Sequence, residues 1–160
     1  MKLAQLITPE QILLDLKAGE HWAAIEELVE GLTGCGKLPL SHKAETLASL
    51  KAREEQVSTG IGGGVAIPHA FSDELEEVIA IFGRSVSGVD FNALDGKKVH
   101  LIILFIVPRR DYHLHLRTLA AIAKMFTNAE VRRQLVEAGT SADILAILDS
   151  RPSRTGQITD

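Results

Sequence analysis

The run Val99-His100-Leu101-Ile102-Ile103-Leu104-Phe105-Ile106-Val107 constrains the fold more than any other segment. Nearly every position is apolar and nothing alternates, so a strand here is buried on both faces. A sheet built around it needs helices on both sides, and the flanking sequence supplies them. Trp22, Ala23, Ile25, Leu28, Val29 and Leu32 recur at helical spacing with Glu26, Glu27 and Glu30 opposite, and Gly31, Gly34 and Gly36 offer stops. Ser41 reads as the N-cap of a second helix running to about Glu54. Pro108 ends the central strand, and Asp111 can cap a helix to about Phe126. Asn128 and Thr140 can cap two more, near Ala129–Ala138 and Ser141–Leu148.

Shorter β-rich runs at Ile12–Leu16, Val65–Ile67 and Val78–Val86 complete the sheet. The expected fold class is α/β: a single domain with a small mixed β-sheet sandwiched between helices, over residues 1–150. Residues 151–160 are polar and lack a periodic apolar face, so a disordered tail is expected there.

Composition narrows the function classes. Hydrophobic residues make up 46% of the 160 positions and charged residues 24%, an ordinary globular balance that can bury a core without staples. A net charge of −4 with no basic block argues against a nucleic-acid partner and an anionic-membrane surface. The one cysteine, Cys35, cannot form an internal disulfide, which suits a reducing compartment. Met1–Leu6 is too short and too soon polar for a signal peptide. The longest apolar run falls far below the ~20 residues of a membrane helix. A cytoplasmic protein with no direct membrane insertion is expected.

The chemistry concentrates in Ser58-Thr59-Gly60-Ile61-Gly62-Gly63-Gly64-Val65-Ala66-Ile67-Pro68-His69-Ala70. Gly60, Gly62, Gly63 and Gly64 form a loop whose backbone N–H groups can converge on an anion. Val65–Ile67 reads as a buried strand that Pro68 terminates, leaving His69 where sheet meets surface. A histidine held rigidly beside an anion loop is a candidate phosphoryl carrier. His115 is the second notable histidine, because it shares a helical stripe with Leu119, Ile122 and Phe126. A ring on such a stripe needs a hydrogen-bond partner, or it lies across a site from His69. His21 and His42 sit at helix starts and read as structural; His100 opens the buried strand and reads as half-buried with one hydrogen bond. His113 and His115 point about 200° apart on a helix and do not make a metal pair. No P-loop and no Gly-x-Ser-x-Gly elbow is present.

Glu54, then six residues, then Ile61-Gly62-Gly63-Gly64-Val65-Ala66-Ile67-Pro68-His69-Ala70, resembles the signature of the type 2 enzyme IIA domains. These belong to the bacterial phosphoenolpyruvate-dependent phosphotransferase system, in its mannitol, fructose and nitrogen-related branch. The likeness extends through Leu50–Glu54, Val89–Gly96 and His115–Ala123, and covers roughly residues 3 to 149. Ser58–Gly62 is most like the nitrogen-regulatory proteins; Val57 departs from a glycine expected there. The resemblance implies a phosphorylated His69, a second histidine at His115 that helps hold the phosphoryl group, and an Arg53 that balances its charge. It implies no metal, nucleotide or other cofactor. The implied donor is an HPr-like phosphocarrier protein, and the implied recipient is a IIB domain or a regulated protein.

Three roles follow: a regulatory phosphocarrier, a transport component that phosphorylates a sugar-specific IIB, and a degenerate interaction module. Intact His69, His115 and Arg53 speak against the third. The nitrogen-like wording, on a chain without IIB, IIC or HPr-like segments, favours the first. The rim around His69 is expected to include Ala70 and Phe71, with Arg109 and Arg110 nearby.

Overall fold

In the computed structural model, which describes residues 3–158, the two-sided apolar run is β6 (Val99–Pro108). Its side chains alternate between two buried layers. Leu101, Ile103, Phe105 and Val107 enter one, and Ile102, Leu104 and Ile106 enter the other. Helices α1 (His21–Gly34) and α2 (Lys43–Gln56) cover the second layer, whereas α3 (Tyr112–Met125), α4 (Ala129–Glu137) and α5 (Ser141–Ile158) cover the first. The result is an α/β sandwich about a six-stranded mixed sheet. On one side of β6 lies β5 (Ile79–Val89), antiparallel, and beyond it β1 (Ile12–Leu13), parallel to β5. On the other side β3 (Val65–Ala66) and β4 (His69–Ser72) run parallel to β6, and β2 (Gly60–Gly62) pairs antiparallel with β3.

Local differences from the sequence reading have physical causes. Gly31 is not a helix stop but an interior position of α1, where a Cβ would lie 2.8 Å from the Ile81 Cδ1 atom. Its missing side chain is what lets α1 approach the sheet. Ser41 lies inside a 3-10 turn, Leu40–His42, and α2 starts at Lys43 with no side-chain cap. The strand at Ile12 is only two residues long, although Leu16 still reaches the core. Asp111 stands at the N-cap of α3 but makes no side-chain cap bond, whereas two caps form as read: Asn128 Oδ1 accepts from Glu130 and Val131 N–H, and Thr140 Oγ1 accepts from Asp143 N–H. Helix α5 continues past Leu148 to Ile158, and positions 159–160 of the expected tail lie outside the described residues. Among the described residues no helix is long and apolar enough to cross a membrane.

One polar residue crosses the core layer. Arg84, only 9% exposed, donates to the carbonyls of Leu14, Leu135, Val136 and Ala138. Three of these lie at the C-terminal end of α4, where unpaired carbonyls and the helix dipole favour a cation. Arg84 thereby ties α4 to the sheet.

Candidate active site

β3 and β4 are two pieces of one line along β6, broken at Ile67-Pro68. Pro68 has no N–H to give, and its carbonyl accepts from Phe105 N–H at 3.0 Å. His69 is the first residue beyond the break and pairs opposite Phe105. Because β2 pairs only with β3, helix α2 rather than another strand flanks β4. A cavity of about 300 Å³ results, lined by His69, Ala70, Phe71, Arg53, Gln56 and Arg109 among others.

The His69 ring is fixed by its own chain. Nδ1 lies 3.0 Å from the Ile67 carbonyl oxygen, which can only accept, so Nδ1 carries the hydrogen and Nε2 keeps its lone pair. Burial is the main cause holding the imidazole below its ordinary pKa; the bond to Ile67 opposes this, the Arg53 cation adds to the lowering, and Glu54 opposes it. A neutral ring with one open nitrogen is a nucleophile. Arg53, in the last turn of α2, donates from Nη1 to the Val57 carbonyl at 2.9 Å, which sets its head beside the cavity. Arg109 pairs with Asp73 at 2.8 Å and lies over the Phe71 ring. Phe71 in turn meets His69 edge-on on one side and Tyr112 on the other.

The structure brings His69 and Arg53 together, with the expected rim of Ala70, Phe71 and Arg109. It places His115 differently. Leu119, Ile122 and Phe126 are buried and His115 is half-buried, so the stripe forms as read. His115, however, lines a neighbouring cleft with Arg110, Glu74 and Gln11 rather than the His69 cavity. It stands three residues beyond Tyr112, whose ring links α3 to Phe71.

The glycines are placed apart as well. Gly62, Gly63 and Gly64 take φ of +94°, +67° and +81°, which makes a β2–β3 turn that only glycine adopts without strain. That turn lies beyond Val65, which pairs with Leu101, whereas His69 pairs with Phe105. Four residues of strand, about 13 Å, separate the two levels. The loop does bind an anion, but one from its own chain: Gly63 N–H donates to Asp95 Oδ2 at 3.1 Å. Lys97 N–H and then Gly63 N–H hold the Asp95 carboxyl below its ordinary pKa. Gly60, also read as part of the loop, belongs to β2 and packs so tightly on Ala93 that a Cβ would lie 2.8 Å from the Ala93 Cβ.

Glu54 and Thr59 received no role from the sequence alone. Both are nearly fully buried, and Glu54 accepts from the Thr59 N–H at 2.9 Å and the Thr59 hydroxyl at 2.6 Å. A buried carboxylate five residues from a buried threonine was visible only as part of the signature. Among the described residues, no group of three or more His, Cys, Asp or Glu is placed to hold a metal ion.

Fold and site together define an α/β sandwich that presents one imidazole, with one nitrogen tied back and one open, at a strand break beside an arginine. Residues 5–151 match the family described as "Phosphoenolpyruvate-dependent sugar phosphotransferase system, EIIA 2", and the chain belongs to that family. Its members are phosphotransfer proteins. The chain is 34% identical over 149 residues to the fructose-specific EIIABC component of Bacillus subtilis (strain 168), covering 93% of this chain but only 23% of that protein. It is 32% identical over 148 residues to a nitrogen regulatory protein of Pseudomonas aeruginosa, covering 92% and 95% of the two chains. The crystal structure of nitrogen regulatory protein IIA-Ntr from Neisseria meningitidis is similar with a TM-score of 0.83 at 32% identity, covering 91% of this chain and 98% of that one.

Proposed function

We propose that this protein is a histidine phosphocarrier that accepts a phosphoryl group from an HPr-like protein on Nε2 of His69. The observation that carries the reading is the 3.0 Å bond from His69 Nδ1 to the Ile67 carbonyl, which leaves Nε2 as the one unprotonated nitrogen of a ring facing the cavity. The Nε2 lone pair attacks phosphorus, the donor's P–N bond breaks, and its electron pair stays on the donor nitrogen. No proton leaves His69, because Nε2 carries none. Transfer of this kind asks for positioning and charge stabilisation rather than covalent chemistry from other residues. Arg53 serves as the cation for the phosphoryl oxygens. His115, on α3 in the neighbouring cleft, serves as a second imidazole of weaker effect.

The role in the cell is regulatory, in the manner of the nitrogen-regulatory proteins. The Ser58–Gly62 wording supports this, as does the 32% identity to such a protein. The 34% identity to a fructose-specific component favours a second reading, donation to a sugar-specific IIB domain. Phosphorylation by phosphoenolpyruvate, enzyme I and HPr, followed by incubation with a purified IIB, separates them. Retention of the label on this chain supports regulation, and rapid discharge to IIB supports transport.

A further inference from the structure

Two buried side chains behind His69 have no part in the proposed transfer, yet they lead to it bond by bond. The Glu54 carboxylate accepts both the backbone N–H and the hydroxyl of Thr59, at 2.9 and 2.6 Å. The Thr59 carbonyl accepts from Ile67 N–H at 3.0 Å. The Ile67 carbonyl accepts from His69 Nδ1 at 3.0 Å. Thr59 is 3% exposed and Glu54 6% exposed. The neighbours of Ile67 are held to β6, Ala66 opposite Ile102 and Pro68 through its carbonyl to Phe105 N–H, whereas the Ile67 N–H faces the other way, to Thr59. On that side Thr59 holds Ile67, the residue that carries the acceptor carbonyl, and Glu54 holds Thr59.

We propose that Glu54 and Thr59 are positioning residues for phosphoryl transfer: together they set the Ile67 carbonyl that selects the Nδ1–H form of His69 and so makes Nε2 the acceptor nitrogen. The inference rests on the phosphocarrier reading for its kinetic part only. The link is mechanical rather than electronic, since the N–H and the carbonyl of Thr59, and likewise of Ile67, belong to different peptide units. It works in both directions of transfer. Once Nε2 bonds to phosphorus, the ring keeps its hydrogen on Nδ1 and carries positive charge, which the fixed carbonyl accepts from more strongly. When the group leaves, the P–N electron pair returns to Nε2, and the ring is again the starting tautomer.

The test uses three variants of the full chain. Glu54→Gln keeps the shape and one acceptor, Thr59→Val keeps the shape and removes the hydroxyl, and Thr59→Ser restores it. Two-dimensional 15N–1H spectra of the histidine rings, recorded with His69 neutral, read the tautomer without any phosphoryl donor. The wild type and Thr59→Ser are expected to hold the Nδ1–H form, and Glu54→Gln and Thr59→Val to show a mixture with Nε2–H. Stopped phosphorylation by phosphorylated HPr is expected to slow by about 10- to 100-fold in Glu54→Gln and Thr59→Val, with recovery in Thr59→Ser. Folded Glu54→Gln and Thr59→Val proteins with wild-type tautomer and wild-type rate would overturn the proposal. A wild type that holds the tautomer but accepts nothing from HPr would overturn the phosphocarrier reading instead, leaving the positioning of the ring intact. Unfolding of Thr59→Val alone leaves Glu54→Gln to decide.

Discussion

His69 donates from Nδ1 to the carbonyl of Ile67, a residue of its own strand line, at 3.0 Å. The same ring sits in a cavity with Arg53, which comes from a helix sixteen positions earlier in the chain. Short-range geometry thus decides which ring nitrogen is left open, and the packing of α2 supplies the charge beside it. His69→Ala is expected to fold normally and to accept no phosphoryl group, whereas substitution of any other histidine leaves acceptance in place. Phosphate labelling with circular dichroism on the same samples checks both halves.

Arg53→Gln is expected to slow acceptance on the order of 100-fold, the size of effect that follows loss of one preorganised charged donor. Stability should change little, because Arg53 makes a single bond, to the Val57 carbonyl, at a half-exposed site. His115→Ala should have a smaller effect than Arg53→Gln, since His115 lines the neighbouring cleft. Single-turnover transfer rates order the two, and a larger loss in His115→Ala would contradict the placement.

Acceptance should persist at mildly acidic pH. Burial first, then Arg53, hold the His69 pKa below the ~6.5 of a free imidazole, although the Ile67 bond and Glu54 oppose this. Below ~6.5 an unfolded chain protonates this ring while the folded chain keeps it neutral and nucleophilic. The sign for stability follows: the unfolded state binds more protons in that window, so the contribution of His69 is fully present above ~6.5 and is lost as pH falls through the folded pKa. A pH–rate profile whose acidic limb lies below 6.5, together with loss of this stability slope in His69→Ala, is the expected pair of results.

Arg84→Met should destabilise the fold by about 2–4 kcal/mol, since it strips a buried cation from carbonyls at the end of α4. Asn128→Ala, which removes the α4 N-cap, should cost about 1 kcal/mol. Urea unfolding midpoints measure both, and equal small losses would mean that Arg84 does not anchor α4.

Docking of HPr should centre on the His69 rim. Phe71 and Arg109 border the cavity, and Tyr112, Leu114 and Leu116 are exposed at the start of α3. Transient complexes of this type bury less than ~1,200 Å². Chemical-shift changes on adding unlabelled HPr are expected at these residues. Changes confined to the α4 surface would contradict this.

Much of this was legible in the sequence because it depends on local periodicity. The unbroken apolar run of β6 required two covered faces, and the Pro68-His69 step placed the histidine at a strand break. The parts that were not legible depend on contacts distant in the chain. The partner of the glycine turn is Asp95, which lies in the β5–β6 connection, and no spacing rule announces that the turn's anion site is already filled. Gly31 looked like a helix stop because glycine usually ends helices, but tertiary packing against Ile81 overrode that preference. β4 was missed because four residues, His69–Ser72, carry no alternation long enough to read.

The most direct measurement is heteronuclear 31P and 15N spectroscopy of the protein after phosphorylation by phosphoenolpyruvate, enzyme I and HPr, with the site mapped by mass spectrometry. The expected result is a single phosphohistidine at His69, bonded through Nε2, with Nδ1 still protonated. A phosphoryl group on Nδ1, on another histidine, or on no residue of this chain would contradict the central claim.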